Sequence, residues 1–301
     1  MPHELHRFLS SAARDVWLIE PGKAEEIVGV LELRLAQGAI PAPSPEQPVA
    51  AETISGGAAG TIHVLRMMGS VLPRASMFSA MSGAISLEGF QREFRQAADD
   101  PNAAAIVLEF DSPGGRVDLV PETARMIHAA RRDGRPIVAV ANTMAASAAY
   151  WLAAAADEVV VTPSGLVGSI GVYTIHQDVS RALKEQGIDT SVFAEGPRKA
   201  EGVFGPLDEP ARKALQDRIR ATYDMFTRDI AKFRGVPVGT VKADPEKSEA
   251  HFGGGRAIRA DEAVRLGLAD RVATLGETMD RLTRRRGSSR TRNARARLGL
   301  V

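Results

Sequence analysis

Through the middle of the chain, apolar runs of strand length alternate with longer stretches that repeat their apolar residues every three or four positions. Thr61–Met67, Ala105–Phe110, Ile137–Val140 and Asp157–Val161 read as strands. Between them, Leu87–Ala98 sets Phe90, Phe94 and Ala97 on one helical face, and Val120–Arg132 forms a crossover helix ended at Gly134. Strand–loop–helix units in series predict an α/β fold with a parallel sheet, right-handed crossovers and function at the carboxyl ends of the strands. Further on, 178–186 reads as a helix, Ile188–Ala194 as a strand, and Glu209–Phe233 as a long helix whose Leu215, Ile219, Tyr223, Phe226 and Ile230 make one apolar seam. Ala260–Val272 reads as a helix ended at Gly267 and then a short strand.

The flanks follow other patterns. Residues 1–37 predict an amino-terminal helical segment, whose second helix carries Ile27, Val28, Val30, Leu31, Leu33 and Leu35 and packs on its own domain or on a neighbour. Pro41, Pro43, Pro45 and Pro48, followed by Gly56, Gly57 and Gly60, mark 38–60 as a flexible linker. The folded domain is expected over 61–276. Residues 277–301 form an Arg-rich tail with no acid from Arg281 onward, a composition that predicts disorder.

Composition narrows the chemistry. A hydrophobic share of 44% and a charged share of 25% over 301 residues describe an ordinary globular protein of one large or two small domains. The net charge of +1 gives no overall field toward nucleic acid or membrane. The absence of cysteine excludes disulfides, thiolate catalysis and cysteine-based zinc sites. No apolar stretch reaches membrane-spanning length and no signal-peptide core is visible at the amino terminus, so a cytoplasmic protein without a membrane anchor is expected. No phosphate loop, HExxH or dinucleotide fingerprint is present, and no cofactor or metal is expected. The glycines Gly253–Gly255 lack the strand and lysine of a phosphate loop and read as a turn.

Three glycine- or alanine-rich pieces carry the candidate chemistry. Ile137–Val140 breaks at Asn142-Thr143-Met144 and passes into Ala145-Ala146-Ser147-Ala148-Ala149-Tyr150-Trp151-Leu152-Ala153. Alanine and leucine favour helix, so Ser147 falls near the first turn of a buried helix, where N–H groups without acceptors stabilise an oxyanion. Upstream, a strand runs into Asp111-Ser112-Pro113-Gly114-Gly115, whose glycines let the backbone turn sharply and point N–H groups outward; Asp111 reads as structural, bonding loop amides. Downstream lies Val167-Gly168-Ser169-Ile170-Gly171-Val172. A serine hydroxyl needs a base beside it. His176, with Asp178 two positions on, is one candidate, although residues so spaced on a strand do not readily hydrogen-bond each other; Lys199 is another. Arg198 is excluded because a guanidinium stays protonated. The small residues around Ser147 and over Gly165–Gly171 predict a narrow pocket for side chains such as Ala or Ser.

Taken together and in this order, the strand ending in SPGG, the serine in AASAAY and the GSIGV piece resemble the S49 serine peptidases, the signal-peptide-peptidase family, and within it the bacteriophage branch that matures capsids. The resemblance covers about Thr61 to Val272. It implies a ClpP/crotonase-like fold and a Ser-Lys dyad in which Ser147 is the nucleophile and Lys199, in GPRKA, the general base. Lys199 must then be uncharged, which burial in an apolar pocket favours. The same resemblance places the oxyanion hole at the N–H of Gly114, or of Gly115 next to it, with that of Ala148, and has Ser169 orient the lysine amine. It leaves His176 a structural role near the site. It also implies a serine-type endopeptidase acting on polypeptides bound as extended strands, here phage scaffold, portal or coat proteins, and a homo-oligomeric ring whose Ser and Lys come from the same or adjacent subunits.

Other readings stay open on sequence alone: a host-type signal-peptide peptidase, a crotonase-like acyl-CoA enzyme, and a non-catalytic assembly protein on the same fold. The Arg-rich tail admits a solvated terminus, nucleic-acid contact, or a cleavable link to a scaffold segment.

Overall fold

The computed structural model describes residues 17–19, 51–55, 60–74 and 84–284. At its centre the strands β3 (Thr61–Met68), β6 (Ala103–Ser112), β8 (Ile137–Ala146) and β10 (Leu166–Gly168) lie side by side, all parallel. Two antiparallel strands close the edges, β2 (Ala51–Ser55) on β3 and β11 (Ala257–Arg259) on β10. The sheet also forks. β9 (Glu158–Val161) pairs with the first half of β8 and carries β12 (Arg271–Val272), while β10 pairs with the last residues of β8.

Strand side chains alternate between two cores, as a period of two requires. Ile106, Leu108 and Phe110 of β6 and Ile137, Ala139 and Ala141 of β8 face a core closed by α1 (Leu87–Asp99), α2 (Val120–Ala129), α3 (Ala148–Ala153) and α5 (Glu209–Arg234). A further helix, α4 (Ser180–Glu185), has no buried residue. Ala105, Val107, Val138 and Val140 face the other side, where Leu275, Met279 and Leu282 cover them. The α/β architecture with a parallel sheet and flanking helices is therefore present as expected.

Several expectations need correction. Ala51–Ser55 was expected in a flexible linker and is an edge strand, its partners running from Ala51↔Leu65 to Ser55↔Thr61. Residues 275–284 are helical and packed, with Thr278 and Leu282 buried, so 277–284 of the expected tail belong to the folded body. In the segment expected to be helical, Trp17–Ile19 is a strand, β1. The amphipathic pattern at Ile27–Leu35, the Pro run and residues 285–301 lie outside the described residues. Strand β8 does not stop at Asn142. Its register on β6 jumps from Phe110↔Ala141 to Asp111↔Met144, so Asn142 and Thr143 form a bulge and the strand carries on to Ala146.

Ile188–Ala194 is not a strand. It has no sheet partner among the described residues, and Phe193 is 94% exposed. An apolar alternation becomes a strand only beside another. No residue between 171 and 210 is buried, in contrast to the tightly packed strands before it.

The long helix α5 divides in the same way. Its first half is largely exposed, with Leu215 and Ile219 half-buried, whereas Phe226, Ile230 and Phe233 are buried in the main core. Phe226 stacks on the fully buried Trp151 of α3 at 4.4 Å between ring centroids and 9° between planes. The Trp151 indole N–H donates to Asp229 Oδ2 at 3.2 Å, and Arg125 pairs with the same carboxylate oxygen at 3.2 Å. Replacing Trp151 with Ala removes the stacked ring, leaves a cavity and strips a donor from a buried carboxylate. Denaturant unfolding should show a loss of about 3–5 kcal/mol, and Trp151→Phe, which keeps most of the packing, should lose clearly less.

Candidate active site

The expected serine sits where a parallel strand hands its chain to a helix. β8 ends at Ala146 and α3 begins at Ala148, leaving Ser147 as the cap between them. It is buried, and its backbone is held at φ 54° and ψ −116°, outside the regions that L-residues populate freely. The turn is pinned from both sides. Ser147 N–H donates to the Gly168 carbonyl at 2.7 Å, and the Ser147 carbonyl accepts from Trp151 N–H at 3.0 Å as the first bond of the helix. Its hydroxyl makes no cap bond to the helix. Poly-alanine on either side allows this close packing, since Ala145, Ala146, Ala148 and Ala149 are all fully buried.

Ser169 occupies the equivalent place one strand over. Gly168 of β10 is in register with Ala146 of β8, so the residues that follow, Ser169 and Ser147, leave adjacent strands side by side. Ser169 is also buried with φ at 54°, its N–H tied to the Arg256 carbonyl at 2.9 Å.

The glycine loop meets the serine turn directly. Strand β6 ends at Ser112, and after Pro113 the chain re-enters a short strand, β7 (Gly114–Arg116). Gly114 has φ +102°; a Cβ there would overlap the Leu18 carbonyl oxygen and lie 3.0 Å from both Ala146 O and Ala148 N. Only glycine lets the loop backbone approach the start of α3 this closely. Gly115 is different. A Cβ on it would run into the backbone of Val71, in β4 (Val71–Leu72), so its open face is taken by a neighbouring strand. Gly114 and Ala148 are thus brought together, with Gly115 one step behind. Sequence reasoning missed Ser112: it is fully buried, and its Oγ accepts the Gly114 N–H at 3.3 Å, bracing the loop. Its place next to Pro113 was the available signal. Asp111, expected to bond loop amides, instead accepts a hydrogen bond from the Thr143 hydroxyl on the β8 bulge, while its carbonyl takes Gly69 N–H at 2.8 Å.

The model of peptidase family S49 matches residues 129–288, more than half of the chain and including Ser147, Ser169 and Lys199. The chain belongs to peptidase family S49. Similar proteins include Capsid assembly protease C of Escherichia phage lambda, 34% identical over 212 residues, which cover 70% of this chain and 46% of that protein. Head-tail preconnector protein GP5 of Enterobacteria phage P21 is 31% identical over 219 residues, 72% of this chain and 42% of that protein. The chain therefore spans less than half the length of these two relatives. Among solved structures, a mutant of ClpP1 from Listeria monocytogenes aligns at 14% identity and a TM-score of 0.40, over 70% of this chain and 91% of that chain.

In this S49 chain the two candidate bases are placed unlike the serine. Lys199 is exposed on a turn whose N–H bonds the Gly196 carbonyl at 3.0 Å, inside the stretch without buried residues. Among the described residues its amine meets neither Ser147 nor a carboxylate. His176 is half-buried and its Nε2 bonds the Gly205 carbonyl at 3.0 Å, while its Cε1 would meet a Cβ on Gly202 at 2.9 Å. Asp178 does not serve it. That carboxylate accepts the Ser180 hydroxyl at 2.7 Å and the Ser180 N–H at 3.0 Å, bonds that hold it below the usual carboxylate range. His176 accordingly fastens the 202–205 turn, just beyond Lys199, rather than forming a His–Asp pair. No helix of the described residues is long and apolar enough to cross a membrane.

Proposed function

We propose that this chain is a serine endopeptidase in which Ser147 is the nucleophile and Lys199 of an adjacent subunit is the general base. The carrying observation is the Ser147 turn itself. A serine at positive φ between a parallel strand and a helix, with Gly114 and Ala148 N at its flank, is the arrangement that presents a hydroxyl beside backbone donors.

In the proposed reaction, the uncharged Lys199 amine takes the Ser147 proton as Oγ attacks a peptide carbonyl. The N–H groups of Ala148 and Gly114 hold the resulting oxyanion, the Gly114 N–H exchanging its long bond to Ser112 Oγ for the stronger charged acceptor. Ser169 Oγ orients the amine. The ammonium then protonates the leaving amine, and water cleaves the acyl ester through the same groups. In a single chain Lys199 is exposed, without the cover that a base working beside a buried serine needs. A neighbouring subunit laid over the uncovered 171–210 stretch supplies that cover, which makes a ring the active species.

The name of the lambda relative, Capsid assembly protease C, points to capsid-assembly proteins as substrates, and the resemblance to phage capsid-maturing peptidases narrows these to scaffold, portal or coat. The test is to co-express the wild-type chain, or Ser147→Ala, with the neighbouring capsid genes and to map protein termini by mass spectrometry. New termini with the wild type alone are expected. The same termini in both cultures would refute the proposal.

A further inference from the structure

The strand β7 that carries Gly114 has two edges, and both are filled. On one, β4 pairs parallel at Val71↔Gly115. On the other, β1 pairs antiparallel, with Trp17↔Arg116, Leu18↔Gly115 and Ile19↔Gly114. Read from Trp17 to Ile19, β1 therefore runs toward the glycine that abuts Ala148. The Leu18 carbonyl crowds the same face of Gly114 that Ala148 N approaches. Leu18 is fully buried and Ile19 is 5% exposed. An extended backbone thus already lies along the edge that leads to the serine turn, held by main-chain pairing and anchored by an aliphatic side chain.

The family resemblance has a substrate dock as an added strand beside the glycine loop, and we infer that Trp17–Ile19, paired on this edge of β7, is a resident, tethered competitor for that track. The inference rests on Ser147 being the nucleophile. Main-chain pairing to a strand edge is indifferent to sequence, and the pockets for alternate side chains set the preference. Here the pocket filled by Leu18 selects an extended polypeptide with an aliphatic residue at that position. A tethered strand competes at an effective concentration of about millimolar, which a free segment at micromolar protein cannot match. Substrate must displace β1, and releasing β1 opens the track.

The test uses the full chain with a site-specific protease sequence placed at 42–47, cut after folding and compared with the uncut form. Two probes are read at Ser147 by mass spectrometry. A small alkyl fluorophosphonate needs only the serine and its base, whereas a Val-Leu-Ile diphenyl phosphonate also needs the track. Cutting should speed labelling by the tripeptide probe at least ~10-fold, and a synthetic peptide with the sequence of residues 14–19 should slow it again. Equal tripeptide rates before and after cutting, with the peptide inert and the alkyl probe labelling both forms, would overturn the inference and leave the peptidase reading intact. Failure of the alkyl probe on both forms would remove the peptidase reading and the inference with it.

Discussion

Purified Ser147→Ala and Lys199→Ala chains should each lose roughly 10³-fold or more in peptidase activity, and mixing them should restore a measurable part. Ser147 is locked inside the body by the Gly168 carbonyl and the first turn of α3. Lys199 is exposed, on a stretch from 171 to 210 with no buried residue of its own. Residues of such different standing in one chain are readily brought together by a second copy. If each site takes its serine from one subunit and its lysine from the next, a random equal mixture after dissociation and reassembly gives roughly a quarter of sites with both groups. Activity of that order shows a base supplied across an interface. A mixture as inactive as either variant shows a dyad within one chain, and Phe193 should then become buried by movement of its own segment.

Gly114→Ala should lower kcat by about 10²–10³ while the chain still folds. Two causes act together. The residue has φ +102°, which an L-side chain tolerates poorly, and the new methyl overlaps the Leu18 carbonyl and presses to 3.0 Å from Ala148 N. Backing away from that crowding moves the Gly114 N–H from its proposed post. Gly115→Ala is the control: its methyl strikes the Val71 backbone in the small sheet, so its main expense is stability, read as a lower denaturation midpoint. A Gly114→Ala enzyme with unchanged kcat would remove Gly114 from the oxyanion hole.

Much of the site was legible in the sequence because its parts are local. A strand that runs into SPGG, and another that runs into alanines around a serine, announce their turns through glycine, proline and helix propensity, and Gly114, Ser147 and Ala148 meet as those turns suggest. Elements defined by distant partners were not legible. Trp17–Ile19 is three apolar residues in a helix-like stretch, and its strand exists only because β7 offers an edge almost a hundred residues away in sequence. Ala51–Ser55 alternates weakly between Pro- and Gly-rich neighbours, and β3 makes it a strand. Helix 275–284 was hidden by its arginines, although Leu275, Met279 and Leu282 recur at helical spacing and cover the second core. Conversely, Ile188–Ala194 has strand-like residues and no sheet partner among the described residues, which is why Val192 and Phe193 are left in solvent. The role of Lys199 came from family resemblance, because no local pattern distinguishes it from an ordinary loop lysine.

The proposed chemistry depends on one hydroxyl at the head of α3 being reactive. Treat the assembled wild-type chain and its Lys199→Ala variant with an alkyl fluorophosphonate, digest, and locate the adduct by mass spectrometry. A single phosphonylated residue, Ser147, is expected in the wild type, with a strongly diminished adduct in the variant. An adduct on another serine, or equal labelling of Ser147 with and without the lysine, would contradict that chemistry.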